Sequence, residues 1–100
     1  MVKHPNRRKT KPRIQDFRCE GGRWLKNRRL LVGLTQRQLA ELVGANPWTL
    51  VSQVETGRSS IMPVDYLAWA AALEMHPQEF VRELMQFYNP ITYKILFEDE

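Results

Sequence analysis

Hydrophobic side chains form one-sided stripes along most of the chain, and such stripes are typical of amphipathic helices. Together they predict five helices, over Arg23–Val32, from Gln36 to Gly44, from about Pro47 to Thr56, from near Pro63 onward, and from Pro77 to about Tyr88. The fourth of these carries apolar residues on more than one side, which indicates burial by the core or by a second subunit.

The second and third predicted helices are bounded by clear start and stop signals. Thr35 with Gln38 three residues later is the pattern of a capping box, so the second helix should begin at Gln36. Gly44 should end it, and Asn46-Pro47 is a new start signal because Asn caps helices well and Pro is favoured at the first helical position. The chain therefore predicts two short helices joined by a tight turn.

The third predicted helix has an unusual outward face. Pro47, Val51 and Val54 share one side of this helix. The other side holds only uncharged residues with hydrogen-bonding groups or an indole, namely Trp48, Thr49, Ser52, Gln53 and Thr56. Since an ordinary solvated face usually carries Lys and Glu, this one suits the reading of base edges in DNA.

After the fifth helix the pattern changes. Asn89-Pro90 should stop that helix, and Ile91, Tyr93, Ile95 and Phe97 then alternate with other residues at a period of two. This alternation predicts an extended C-terminal tail over residues 89–100. The tail either pairs as a strand with its copy in a second subunit, which we favour, or folds over its own helices.

Charge divides the chain into unlike parts. The net charge of the whole sequence is +4, but residues 1–22 carry +5, residues 23–60 carry +4 and residues 61–100 carry −5. Such a molecule should bind a polyanion on one side only. Arg7, Arg8, Lys9 and Lys11 lie in a stretch with little apolar content, so residues 1–22 predict a basic, mostly flexible arm.

The arm has two interpretations, and Gly21-Gly22 is expected to form a hinge or loop between it and the first helix. It can lie along phosphates or enter the adjacent minor groove, which we favour, or it can be a solubilising tail.

Several classes of function are disfavoured. No apolar run is long enough to span a membrane, and a single cysteine, Cys19, allows no internal disulfide and no cysteine-based metal site. His76 is better explained as a cap or loop residue than as a metal ligand. The sequence also lacks a glycine-rich phosphate loop, a nucleophile elbow and zinc spacing, so we expect no enzyme activity, no cofactor and no metal. The protein is expected to be cytoplasmic, and nucleoid-associated when bound to DNA.

A longer pattern then becomes visible. The run Leu25-Lys26-x-x-Arg29-x-x-x-Gly33-Leu34-Thr35-Gln36-x-x-Leu39-Ala40-x-x-x-Gly44, followed by Ser52-x-Val54-Glu55-x-Gly57, resembles the helix-turn-helix domains of the Xre family, which includes Cro and phage repressors. The resemblance covers roughly residues 23–87 and implies an all-α, five-helix domain of prokaryotic or phage type, here over residues 23–88. One departure is a gap from Gly44 to Glu55 that is one residue longer than the family pattern, which predicts an enlarged turn.

The resemblance also implies roles for single residues. Arg29 should pair with Glu55 as a structural ion pair, and Gln36 should hold a phosphate and support the recognition helix. We expect the DNA-binding residues to be Gln36, Arg37, Asn46, Trp48, Thr49, Ser52, Gln53 and Arg58, with Arg7, Arg8, Lys9 and Lys11 of the arm. For Trp48 two interpretations stand: contact with a thymine methyl or a sugar, or filling of the enlarged turn.

The leading hypothesis is a homodimeric, sequence-specific DNA-binding transcription regulator, by default a repressor, on a palindromic operator in double-stranded DNA. A second hypothesis is an antitoxin-like subunit that neutralises a partner protein and uses the motif for autoregulation. A third is non-specific nucleic-acid binding through the arm alone.

Overall fold

A computed structural model describes residues 14–98 of the chain, and these residues are helical without any strand. The α-helices are α1 (Ile14–Val32), α2 (Gln36–Val43), α3 (Thr49–Glu55), α4 (Tyr66–Ala72), α5 (Pro77–Tyr88) and α6 (Pro90–Phe97), and a short 3-10 helix (Pro63–Asp65) leads into α4. The predicted all-α class is therefore confirmed. Residues 14–98 hold six α-helices instead of the five predicted, because the segment predicted as an extended tail is helical, and the limits of the first and third helices also differ from the predictions.

The capping signals around α2 act as the sequence indicates. The Thr35 hydroxyl accepts a hydrogen bond from the Gln38 N–H at 3.0 Å, and the Gln38 side chain accepts one from the Thr35 N–H at 2.9 Å. Gly44 ends the helix with a left-handed φ of 75°. These contacts fix both ends of α2.

The helix that follows starts later than predicted. Its first residue is Thr49, and the preceding N-cap position is held by Trp48 without a side-chain cap. The N–H groups of Leu50 and Val51 donate to carbonyls three residues earlier, at 3.0 and 3.1 Å, as in a tight 3-10 turn. Asn46 and Pro47 consequently belong to the connection over residues 44–48 instead of the helix.

The first helix is longer than predicted, and the expected hinge at Gly21-Gly22 is wrong. Both glycines are buried within α1, which already begins at Ile14. A Cβ on Gly22 would lie 2.2 Å from the carbonyl oxygen of Glu55, and one on Gly21 would lie 2.8 Å from Cβ of Phe87. The glycines therefore permit close helix packing and do not form a turn. Residues 1–13 of the predicted arm lie outside the described residues.

A single core joins α1 to α5. Its fully buried large side chains come from every part of this region and are Leu25, Leu39, Val51, Leu73, Phe80 and Leu84. Full burial of one such side chain stabilises the fold by about 1.5–3 kcal/mol. Within this core α2 and α3 pack on each other, α3 also contacts α1, and α2 also contacts α4, while α1 and α5 pack together.

The C-terminal segment corrects the prediction of an extended dimerisation strand. Residues 90–97 form α6, whose start is capped by the Asn89 side chain accepting from the Thr92 N–H at 3.3 Å, with Pro90 in the first turn. The Tyr93 and Phe97 rings lie 5.1 Å apart, and the Arg82 guanidinium of α5 lies 5.1 Å from the Phe97 ring. Residues four apart share a helix face, so the alternating pattern also fits a helix.

Candidate nucleic-acid interface

The outward face of α3 is free for a ligand. Thr49 and Gln53 are exposed and Ser52 is half-buried, whereas Val51 and Val54 on the opposite side are buried in the core. Within residues 14–98 the side chains of Thr49, Ser52 and Gln53 make no hydrogen bond. Their hydroxyl and amide groups are therefore directed to solvent and can pair with an external donor or acceptor.

A buried ion pair fixes the orientation of α3. Nε of Arg29 donates to Oε2 of Glu55 at 2.6 Å, and Nη2 donates to Oε1 at 3.1 Å. Only 6% of Arg29 and 5% of Glu55 are exposed, so this bidentate pair is shielded from water. The Arg29 Nη1 group also donates to the Leu34 carbonyl at 2.8 Å. The pair implied by the resemblance is thus present. Through Arg29 it connects α1 with Leu34, just before α2, and with the last residue of α3.

Gln36 joins the same network. Its side-chain nitrogen donates to Oε1 of Glu55 at 3.0 Å, which ties the start of α2 to the end of α3. The supporting role implied for Gln36 is therefore visible in the structure, and its role on a phosphate remains a prediction. Backbone N–H groups of a helix's first turn have no partner inside the helix, so the start of α2 retains donors for an anion.

Arg37 and Trp48 form a stacked pair beside the connection between α2 and α3. The Arg37 guanidinium lies 4.6 Å from the centre of the Trp48 ring, within the range of a cation–π interaction. Trp48 is 39% exposed, so its indole packs under Arg37 while keeping part of its surface in solvent. Trp48 is the N-cap residue of α3, so its ring holds the Arg37 cation near the start of this helix.

The loop after α3 is held by backbone bonds. The N–H groups of Arg58 and Ser59 donate to the Gln53 carbonyl at 2.9 and 3.1 Å, and Gly57 has a left-handed φ of 83°. Arg58 itself is exposed. The fixed loop therefore presents its cation close to the C-terminal end of the outward face of α3.

Asn46 lies in a different setting. It is exposed and lines a cleft of about 330 Å³ that also includes Ser59, Ser60 and the carboxylate-bearing Asp65. Because Asp65 repels an anion, this cleft is a weaker phosphate site than the surfaces around Arg37 and Arg58.

The sequence analysis did not predict that α1 lines a cavity beside α2 and α3. Cys19, Arg23 and Lys26 line a cavity together with Gln36, Glu55 and Thr56. Their spacing of four and three residues would have placed all three on one helix face, but the assumed hinge at Gly21-Gly22 separated Cys19 from the other two. The predicted arm residues Arg7, Arg8, Lys9 and Lys11 lie outside the described part of the chain.

A family model described as a helix-turn-helix matches residues 25–80, a segment that runs from within α1 to within α5. Comparison with curated proteins and with solved structures finds no match. Between residues 14 and 98, no helix is long and apolar enough to cross a membrane, and no His, Cys, Asp and Glu side chains cluster as metal ligands.

Proposed function

The chain belongs to the helix-turn-helix family of Xre type, and on that premise we propose that it is a sequence-specific transcription regulator that binds double-stranded DNA. Its default action is repression, with a homodimer bound to a palindromic operator. The observation that carries the proposal is the exposed, uncharged face of α3, which is fixed from behind by the Arg29–Glu55 pair.

The proposed mechanism places α3 in the major groove. Each base pair presents a distinct pattern of donors, acceptors and methyl groups there, and hydroxyl and amide side chains can match this pattern. Thr49, Ser52 and Gln53 would contact base edges, with Gln53 preferring adenine when its amide binds in a bidentate manner. Because the buried ion pair restrains the end of α3, these groups can contact the bases without the free-energy cost of first reorienting the helix.

Cations around α3 would provide affinity that does not depend on sequence. Arg37 is held on Trp48 near the start of α3, and Arg58 lies in the fixed loop after it. The basic residues of the arm are proposed to add further phosphate contacts. Binding should therefore weaken as salt is raised, with a slope of about −0.9 in log K against log salt for each phosphate neutralised.

The homodimer is proposed to form through α6. Ile91, Ile95 and Leu96 of this helix are 72%, 75% and 64% exposed. Such exposed apolar side chains on one short helix are typical of a protein–protein interaction surface. A two-fold axis through this surface would relate two α3 helices. Half-sites of the operator would then be centred about 34–36 Å apart, or a multiple of that distance.

Selection of bound sequences from a random pool of double-stranded DNA tests this function. The proposal expects enrichment of one inverted repeat with a fixed half-site spacing. Enrichment of a single unrepeated site would support sequence-specific binding but contradict the homodimer. No enrichment over the starting pool, with binding still measurable, would contradict sequence-specific regulation and favour non-specific binding by the basic arm.

A second candidate is the antitoxin-like role, favoured by an apolar groove on the acidic half of the molecule. This groove has a volume of about 440 Å³ and lies between α5 and α6, with Val81, Met85, Leu96 and Phe97 in its walls. Expression of the chain in its native cells followed by purification tests the idea. A second polypeptide in stoichiometric amount supports this role, whereas a homodimer that protects a palindrome without any partner counts against it.

A further inference from the structure

The amino-terminal half of α1 builds a surface beside the recognition helix. Cys19, Arg23 and Lys26 share one face of α1 and line a cavity of about 340 Å³, whose other walls are Gln36, Glu55 and Thr56. We call this cavity the α1 pocket. The family match begins only at residue 25, so Cys19 and Arg23 lie outside the matched segment.

The pocket is held in a fixed position relative to α3. A Cβ on Gly22 would lie 2.2 Å from the Glu55 carbonyl oxygen, and a Cβ on Gly57 would lie 2.8 Å from the Cys19 nitrogen. The Cys19 thiol also donates to the Thr56 carbonyl at 3.4 Å. Because helix α1 contacts the end of α3 without a gap, a cation on this face of α1 keeps a constant offset from the recognition face.

The charge of the pocket is positive. Glu55 contributes a carboxylate, but Arg29 neutralises it and Gln36 donates to it. Arg23 and Lys26 are exposed, and neither forms an ion pair with any residue between 14 and 98. Two unpaired cations around a small cavity therefore remain, which is the arrangement that favours an anion such as phosphate.

We propose that the α1 pocket binds a phosphate of the DNA backbone, with Arg23 and Lys26 as its ligands. This inference rests on the proposed DNA-binding function and adds a contact that the helix-turn-helix itself does not supply. Thr56 links the two surfaces, since it lines the pocket and is exposed one turn after Ser52. When α3 enters the major groove, a phosphate on the groove's border therefore lies within reach of α1.

The double variant R23A/K26A tests the proposal through the salt dependence of binding. Loss of this one phosphate contact should lower affinity for the selected operator and for scrambled DNA by the same factor, and should reduce the salt slope by about 0.9. The variant K94A, which removes an exposed cation of α6 far from α3 in sequence, is the control and should keep the wild-type slope. A wild-type slope in R23A/K26A would overturn the inference.

Cys19 offers an independent readout because it is the only cysteine in the sequence and lies in the pocket wall. Saturating operator DNA should slow its alkylation by iodoacetamide several-fold, and scrambled DNA at saturation should do the same. Alkylation that is equally fast with and without DNA, or that inorganic phosphate slows while saturating DNA does not, would contradict a DNA phosphate in the pocket.

The two proposals fail in different ways. If the wild-type protein binds without preferring any sequence, sequence reading fails, while a reduced slope in R23A/K26A still supports the α1 pocket. If the wild type prefers its selected operator and R23A/K26A keeps the full slope, the α1 pocket alone fails.

Discussion

Helices α3 and α6 are both short, and each leaves one face in solvent, but the exposed chemistry is opposite. The seven residues of α3 present hydroxyl and amide groups, whereas the eight residues of α6 present Ile91 and Ile95. The helices are also attached differently. The end of α3 is tied by a bidentate ion pair, and α6 packs on α5 through Phe97 and Arg82.

The difference shows what each attachment can do. Ion pairs and hydrogen bonds are directional, so the Arg29–Glu55–Gln36 network fixes the angle of α3, as base reading requires. Aromatic and apolar packing is less directional and tolerates adjustment. A surface that associates with another protein copy needs exposed apolar area more than an exact helix angle.

Removing the Glu55 carboxylate should produce the largest effect. In E55A the Arg29 guanidinium stays buried without its partner, which costs about 3–5 kcal/mol in the free energy of unfolding. Urea denaturation measures this loss, and E41A, on the exposed side of α2, should stay within about 0.5 kcal/mol of the wild type. Similar stabilities for the two variants would show that the ion pair does not hold α3.

Placing a charge on the α6 face should separate the proposed dimer. I95D should weaken self-association by about 2 kcal/mol or more, roughly thirty-fold, because the carboxylate would be buried between the subunits. The folded monomer should be nearly unaffected, since Ile95 is 75% exposed. Sedimentation equilibrium gives the association constant, and L67D, on the exposed side of α4, is the control. A dimer that resists I95D but dissociates in L67D would place the interface on α4.

The two cation–π pairs allow a matched comparison of the two regions. R37A and R82A each remove a guanidinium from an aromatic ring, at 4.6 Å from Trp48 and 5.1 Å from Phe97. Only R37A should weaken DNA binding, several-fold and equally on all sequences, with a salt slope smaller by about 0.9. Fluorescence anisotropy at several salt concentrations measures both quantities. Equal losses in the two variants would mean that stability, and not charge at the interface, explains the effect.

The smallest effect concerns the bond between α5 and the loop before the 3-10 helix. The Ile61 N–H donates to the Tyr88 hydroxyl at 3.0 Å, so Y88F should lose about 0.5–1.5 kcal/mol of stability at neutral pH. Burial raises the pKa of Tyr88 above its ordinary value of 10.0. The unfolded chain therefore ionises first, and stability that is present below pH 10 falls as the pH rises through the folded-state pKa.

Urea denaturation from pH 7 to pH 11 tests this dependence. The decline in stability above pH 10 should be shallower in Y88F than in the wild type. The decline that remains in Y88F should come partly from Tyr66, because burial also raises the pKa of Tyr66. Parallel curves for the two proteins would contradict a contribution from Tyr88.

Features set by local chemistry could be predicted from the sequence, and those set by packing could not. Thr35 and Gln38 lie within one turn of each other, so their capping box follows from spacing alone. Gly21-Gly22 has the composition of a loop, and only the contacts with Phe87 and Glu55 explain why it remains helical. The late start of α3 similarly depends on how residues 44–48 fit between two helices.

The C-terminal error has a clear physical origin. Ile91 and Ile95, and likewise Tyr93 and Phe97, are four residues apart, so a period of two contains the helical repeat within it. The pair Asn89-Pro90 predicts a stop for α5, but the same pair is also a start signal, and the Asn89 side chain caps α6. The packing of Phe97 against Arg82 on α5 accompanies the helical conformation, and the sequence pattern does not show this contact.

The central claim is that the exposed polar face of α3 reads base sequence, and the S52A/Q53A variant tests it most directly. Affinities for the selected operator and for a scrambled duplex should be measured at one salt concentration, with Q78A on α5 as control. S52A/Q53A should lose about 1–3 kcal/mol of discrimination between the operator and the scrambled duplex, keep its affinity for scrambled DNA, and unfold like the wild type. Unchanged discrimination in S52A/Q53A would contradict the claim.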